Sequence, residues 1–175
     1  MAIQILIQAR TPPTRPIVRV ALASGAVVLV TGLVAWALDA PALAPPLGVT
    51  AFLCFRHPAA RSSSPRSILG GHALGLLSGW AALFAAGAST LGDALSGPFT
   101  LNHALASALA ITLTAVSTEG LRCPHPPAAA TTLVVSLGLL RDPLHVAAFA
   151  GGVLVTTGAC LALGRLGRQA SGTGH

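Results

Sequence analysis

The chain has 175 residues, of which 53% are hydrophobic and only 8% charged, with a mean hydropathy of +0.77. Soluble domains carry about 25% charged residues, so a soluble globular protein is excluded. A net charge of +6 and a pI near 11.4 would suggest a nucleic-acid partner in a soluble protein, but the basic residues are all arginines placed at the ends of apolar segments, which is the footprint of membrane orientation.

In chain order, Met1–Pro16 lacks the basic, apolar and small-residue sequence of a signal peptide and reads as a cytoplasmic tail over 1–16. Four stretches are long enough to cross about 30 Å of hydrocarbon at about 1.5 Å per residue: Val20–Leu38, Ile68–Ala88, Thr100–Thr118 and Leu144–Leu163. Two more are apolar but short, Leu47–Phe55 and Ala128–Leu140, and as helices would reach only about 14 and 20 Å. Each follows a pair of prolines, so the broken helices are predicted over 47–55 and 127–140. In the third apolar segment Gly71, Gly75 and Gly79 recur every fourth residue and form a smooth stripe for close helix packing, between the two halves of the chain or between two protomers. The chain closes with a second cytoplasmic tail over 165–175.

The pattern occurs twice. Adding 81 to a position superimposes Pro45-Pro46 on Pro126-Pro127, Thr50 on Thr131, Leu53 on Val134 and Gly70-Gly71 on Gly151-Gly152. The repeats are therefore 17–90 and 98–164.

The arginines decide whether the short segments cross or dip. If they cross, one side holds Arg10, Arg15, Arg19, Arg56, Arg61, Arg66, Arg122, Arg165 and Arg168, and the other only Arg141, beside Asp39, Asp93 and Asp142. If they dip, the arginines divide evenly. The asymmetric arrangement obeys the positive-inside rule and predicts six crossings with both termini cytoplasmic. Three crossings per repeat is an odd number, so the second repeat must be inverted. The expected fold is an all-α polytopic bundle, a 3+3 inverted repeat with its site near the bilayer midplane between the two broken helices.

The chemistry gathers there. Proline suits the first turn of a helix, so Pro126-Pro127 begins a helix whose first donors are the N–H groups of Ala128, Ala129 and Ala130, free unless something caps them. Pro45, Pro46, Gly48, Val49 and Thr50 make the corresponding start, and Thr131 and Thr132 match it with hydroxyls. Two helix N-termini converging from opposite faces form a positive, donor-rich pocket suited to binding and releasing an anion. His125 is the ionisable residue at the helix start and, with His72, a candidate proton carrier; the alternative is that both histidines bond main chain freed by the prolines. Asn102, His103 and His145 fall in the first turns of their helices, as capping residues. Asp142-Pro143 reads as an N-cap followed by proline, and Glu119 with Arg122 as an interfacial pair. Cys54, Cys123 and Cys160 have no CxxC spacing; Cys54 and Cys160 read as small buried thiols.

The His125-Pro126-Pro127 triplet before an alanine-rich helix, with Thr131 and Thr132, resembles the signature of the HPP family of integral membrane proteins. A second stretch, Pro58, Pro65-Arg66 and Gly70-Gly71-His72, resembles it as well, and the likeness covers residues 17–163. Arg56-His57 before Pro58 departs from the smaller residues expected there. Members are usually described as four-span proteins, whereas the arginines here predict six. Plant chloroplast and cyanobacterial members are associated with nitrite transport, and the resemblance implies a similar activity. Without a transit-peptide pattern, the expected location is a bacterial cytoplasmic membrane.

The expected function is a transporter or channel for a small monovalent anion, nitrite above nitrate, formate or bicarbonate, and not an enzyme. No cofactor or metal is expected. The expected partners are the anion, the bilayer and a second copy in a homodimer. Two alternatives are a membrane-embedded metal or histidine enzyme using His57, His72, His103 and His125, and a non-transporting assembly or sensor protein. Against the enzyme, no HExxH or carboxylate–histidine spacing occurs.

Overall fold

The computed structural model describes residues 14–40 and 43–172. The first 13 positions of the expected N-terminal tail, with Arg10, lie outside the described residues, as do 173–175. Among the described residues the chain forms α1 (Thr14–Ala37), α2 (Pro45–Arg56), a 3-10 turn (Arg61–Ser63), α3 (Pro65–Ala85), α4 (Leu101–Gly120), α5 (Pro127–Ser136) and α6 (Pro143–Gly172), with no strand.

Local chemistry sets these boundaries. Proline opens α2, α3, α5 and α6, where its missing N–H costs no helical bond. Ser64 caps α3 by accepting from the Ser67 N–H at 3.2 Å, and Asp142 caps α6 by accepting from the Leu144 N–H at 2.7 Å. Thr100 and His103 form a reciprocal capping box at the start of α4. Four helices end in one way. The Ala40, Ala88, Cys123 and Leu139 N–H groups reach back to the carbonyls of Ala35, Leu83, Thr118 and Val134, closing Schellman turns on α1, α3, α4 and α5. Gly87 and Gly138 supply two of the left-handed residues, and Asp39 and Arg122 the others.

Ile17–Ala37, Pro65–Ala85, Leu101–Gly120 and Pro143–Leu166 are long and apolar enough to cross a membrane. Large apolar side chains such as Leu22, Trp36, Leu77, Val116 and Leu154 stand exposed on these helices, a surface that lipid and not water solvates. The protein is a membrane helical bundle.

Within it, α3 packs on α4, α5 and α6, α1 on α2 and α6, α2 on α5 and α6, and α4 on α5. The glycine stripe makes the closest seam, seating α5 against α3. A Cβ on Gly71 would lie 2.5 Å from the His125 Cβ; one on Gly75 would lie 2.8 Å from the Ala128 carbonyl oxygen; one on Gly79 would lie 2.6 Å from the Val135 Cβ. Contacts that advance together along both helices mean that α5 runs parallel to α3. It begins beside Gly71, about 9 Å beyond the start of α3 at about 1.5 Å per residue. The observed lengths refine the expected ones: the short helices are Pro45–Arg56 and Pro127–Ser136, so α5 stops four residues before the predicted 140, at the turn made by Gly138. The tail expected over 165–175 is helical as far as Gly172, because Arg165, Leu166, Arg168 and Gln169 are good helix formers that continue α6.

The loops gather at two ends. At one, His125 reaches Ser62 at 2.8 Å and Arg66 reaches the Leu121 carbonyl at 3.5 Å, joining segments 57–64 and 121–126. At the other, the Ala94 N–H donates to the Leu137 carbonyl at 3.0 Å, the Trp80 Nε1–H to Leu140 at 3.0 Å, and the Asn102 amide to Ala86 at 2.8 Å. Arg141 ties this second end together. Its guanidinium donates to the carbonyls of Ala88 (3.2 Å), Ser89 (3.4 Å), Gly92 (2.9 Å) and Leu91. Arg141 is thus a clamp on main chain, a task that needs its planar fork of donors. Arg141→Ala is expected to lower the thermal midpoint, by about 1–3 kcal/mol of stability, and to speed amide exchange across 88–94. Arg141→Lys is expected not to rescue it, and a lysine variant as stable as the parent would refute the clamp. In the same loop Asp93 accepts from the Ser96 hydroxyl and from the backbone N–H groups of Ser96 and Leu95, which hold its carboxyl below the ordinary carboxylate value. That support is present above the ordinary range and is lost as pH falls through the lowered one.

Candidate functional site

Two threonines related by the 81-residue offset, Thr50 on α2 and Thr131 on α5, are fully buried and flank one imidazole, His72 of α3. His72 Nε2 lies 2.9 Å from the Thr50 hydroxyl and His72 Nδ1 lies 2.7 Å from the Thr131 hydroxyl. His125, in the lead-in to α5, completes the cluster: its Nε2 is 3.0 Å from the Thr50 hydroxyl and 3.3 Å from His72 Nε2, and the two rings meet edge to face with centroids 4.8 Å apart. Both histidines are at most 3% exposed, so every polar atom must find its partner inside the protein.

One atom fixes the hydrogens of the whole cluster. His125 Nδ1 lies 2.8 Å from the Ser62 carbonyl oxygen, which only accepts; Nδ1 therefore carries the hydrogen, and Nε2 of the neutral ring is an acceptor. If His72 also held its hydrogen on Nδ1, two bare Nε2 lone pairs would face each other at 3.3 Å. With the hydrogen on His72 Nε2 each contact has one donor and one acceptor. The Thr131 hydroxyl donates to His72 Nδ1, His72 Nε2–H to the Thr50 oxygen, the Thr50 hydroxyl to His125 Nε2, and His125 Nδ1–H to Ser62. The Pro46 carbonyl, 3.1 Å from the Thr50 oxygen, offers that hydroxyl a second acceptor.

The helix starts differ from the sequence expectation in one respect. The Ala128 N–H donates to the His125 carbonyl at 2.8 Å, the Ala129 N–H to the Pro126 carbonyl at 3.1 Å, and the Leu47 N–H to the Ala44 carbonyl at 3.0 Å. Pro126 already has helical backbone angles, φ −50° and ψ −37°, so the preceding carbonyls turn back onto these donors. Side chains, not bare amides, supply the free hydrogen-bonding capacity here.

Of the residues singled out in the sequence, Thr50, Thr131, His72, His125, Pro46, Pro127 and Ala128 are buried together. Ala129 and Ala130 are half-buried, Ala129 lining a groove of about 220 Å³ that also reaches His125, Thr114, Thr118 and Glu119. Gly48 is half-buried with open space where a Cβ would stand, whereas Pro45, Pro126 and Val49 are exposed, Val49 by 50%. Thr132 bonds back to the Ala128 carbonyl at 2.9 Å and pairs with Thr114 of α4 at 2.7 Å. His103 caps α4 as its position predicts, whereas Asn102, expected to cap as well, donates instead to the Ala86 carbonyl at the end of α3. Among the described residues no three His, Cys, Asp or Glu side chains are grouped to hold a metal ion.

Two features carry no motif. Ser62 acts through its main chain, for which no sequence signal exists. Apolar layers adjoin the cluster: Cys54 and Ile68 lie one helical turn from Thr50 and His72, and the offset of 81 carries them onto Val135 and Phe149. All four belong to one buried apolar cluster, and the Phe149 ring stands edge-on to His72 with centroids 5.8 Å apart. Here the repeat itself was the available signal.

A family profile described as HPP, transmembrane region, matches residues 9–171. No curated protein and no solved structure matches the chain.

Proposed function

The chain belongs to the HPP transmembrane family, and from that premise we propose that it carries a small monovalent anion, nitrite first, across a bacterial cytoplasmic membrane without chemically altering it. The observation that carries this reading is the continuous chain of hydrogen bonds through Thr50, buried where α2, α3 and α5 meet. Polar and ionisable groups are expensive inside a bilayer and concentrate where substrates or protons pass.

In the neutral cluster every hydrogen is spoken for. A further proton would enter at His125 Nε2, the acceptor 3.3 Å from His72 Nε2, and make the pair cationic. The titratable groups around it are few. α3 supplies His72, α4 supplies Glu119, which shares the groove with His125 but is exposed, and α2 holds Cys54 one turn from Thr50. α5 and α6 present Thr131 and Phe149, neither of which titrates here. The protonated pair therefore lacks a buried counter-charge, and an anion accepting from Thr50 and the imidazolium N–H supplies it. Proton and anion then travel together, one for one, and the electrical cost of about 2.3 kcal/mol per 100 mV for moving an anion into a negative cell disappears.

We read the architecture as six crossings in a 3+3 inverted repeat with both termini cytoplasmic. In support, exchanging the triplets α1–α2–α3 and α4–α5–α6 leaves the set of packing partners unchanged. Segment 137–142 touches segment 86–100, which two dipping short helices would leave on opposite faces.

Reconstituted protein tests the reading. Nitrite uptake into liposomes is expected to follow an inward proton gradient and to ignore an imposed membrane potential, with nitrate, formate and bicarbonate ranked by competition. Uptake that tracks voltage and ignores the proton gradient would refute one-for-one coupling, and no uptake of any of the four anions would refute the function.

A further inference from the structure

We propose that the cavity bounded by α1, α2, α3 and α6 at the Ser62 end is the aqueous entry vestibule of this site, where Arg19 collects small anions before they pass towards Thr50 and His72. The inference rests on the transport reading for its purpose, but its geometry stands apart from it.

The cavity measures about 560 Å³, against about 30 Å³ for a water molecule in the liquid. Its lining combines apolar walls with Arg19, Ser63 and Thr157, and among the described residues no acidic side chain borders it. A positive charge such as that of Arg19 over low-dielectric walls raises the local concentration of anions and depletes cations. Depth is what links the cavity to the site. Cys54 and Ile68 line it, and each lies four residues, one helical turn, from a member of the cluster: Cys54 from Thr50 on α2, Ile68 from His72 on α3. Four residues on one helix face are about 6 Å apart. An anion at the cavity floor is thus separated from the imidazole cluster by one layer of side chains. The equivalent layer in the second repeat, Val135 and Phe149, is fully buried and borders neither described cavity. The structure therefore presents an approach from the Ser62 end.

The vestibule carries its own reporters. Cys54 and Cys160 both line it, belong to one buried cluster and are 9% and 7% exposed; Cys123 is packed elsewhere, beneath Gly70. Methanethiosulfonates read such access directly. A thiolate attacks the reagent's sulfenyl sulfur, forms a mixed disulfide and expels methanesulfinate, the thiol proton going to water.

Reduced protein in sealed vesicles of opposite orientation would be treated with membrane-impermeant ethylsulfonate and ethyltrimethylammonium reagents. Labelling of Cys54 or Cys160 is expected from the Ser62 face only, with the anionic reagent faster by about tenfold. Arg19→Gln is expected to abolish that charge preference, and a Cys54→Ser, Cys160→Ser double variant to abolish labelling. Reaction with permeant N-ethylmaleimide alone would mean that lipid fills the space, and would overturn the vestibule. So would equal labelling from both faces, or a charge preference that survives Arg19→Gln. Labelling needs no flux, so a chain that labels as expected but carries no anion refutes transport alone. One that carries nitrite with its thiols unreachable refutes the vestibule alone.

Discussion

His125→Ala is expected to lower nitrite flux by about tenfold to a hundredfold and to flatten what remains against pH. The size follows from the loss of a hydrogen bond to a charged group, about 1.5–3 kcal/mol, at about 1.4 kcal/mol per factor of ten. The pH effect follows from geometry. His125 Nε2 accepts from the Thr50 hydroxyl, so on the proposed reading the ring is where an added proton enters the cluster. His125→Gln separates the two roles. A glutamine amide can donate to Ser62 and accept from Thr50, and so preserve the fold, yet cannot take a proton near neutral pH. The glutamine variant is expected to be as stable as the parent and to lose proton-driven uptake. Uptake that still responds to a proton gradient in the glutamine variant would remove His125 from the coupling step.

The second large effect concerns the seam between α3 and α5. Gly79→Ala places a methyl group 2.6 Å from the Val135 Cβ and 2.9 Å from the Thr132 carbonyl oxygen, and Gly75→Ala places one 2.8 Å from the Ala128 carbonyl oxygen. Two of these obstacles are main chain, which no rotamer change relieves, so α5 must move away from α3. Overpacking of this kind costs about 1–3 kcal/mol at each site. Because Thr131 and His125 flank the displaced helix start, activity is expected to fall more steeply than the thermal midpoint. Gly151→Ala and Gly158→Ala, where nothing stands within 4 Å of an added Cβ, are the controls and are expected to behave as the parent. If Gly79→Ala matched them in stability and flux, the seam would not be the constraint that positions α5.

Much of this site was legible in the sequence because its parts are repeated. The doubled prolines located both short helices, and the offset of 81 paired Thr50 with Thr131 before their common partner was known. His72 stood out because an imidazole within an apolar span must find a partner or a task. Other features left no trace. The Ser62 carbonyl is main chain from a turn 63 residues before His125. Cys54 and Cys160 share one cluster and one cavity lining through the packing of α2 on α6, and nothing in their spacing announces it. The helix donors at Ala128 and Ala129 read as free because proline at the first turn normally leaves them so; the helical angles of Pro126 turned the preceding carbonyls onto them instead. The helix of α6 continues past the expected span into the 165–175 segment, since two arginines after an apolar run signal the membrane boundary but do nothing to stop a helix.

The bond from His125 to Ser62 gives the proposed relay a polarity. A peptide oxygen has lone pairs and no hydrogen to return, so as long as the 61–63 turn keeps its shape the His125 ring is locked in one tautomer and charge shuttling can begin only at its inner nitrogen. A main-chain oxygen 63 residues upstream thereby sets the hydrogen arrangement of the buried cluster.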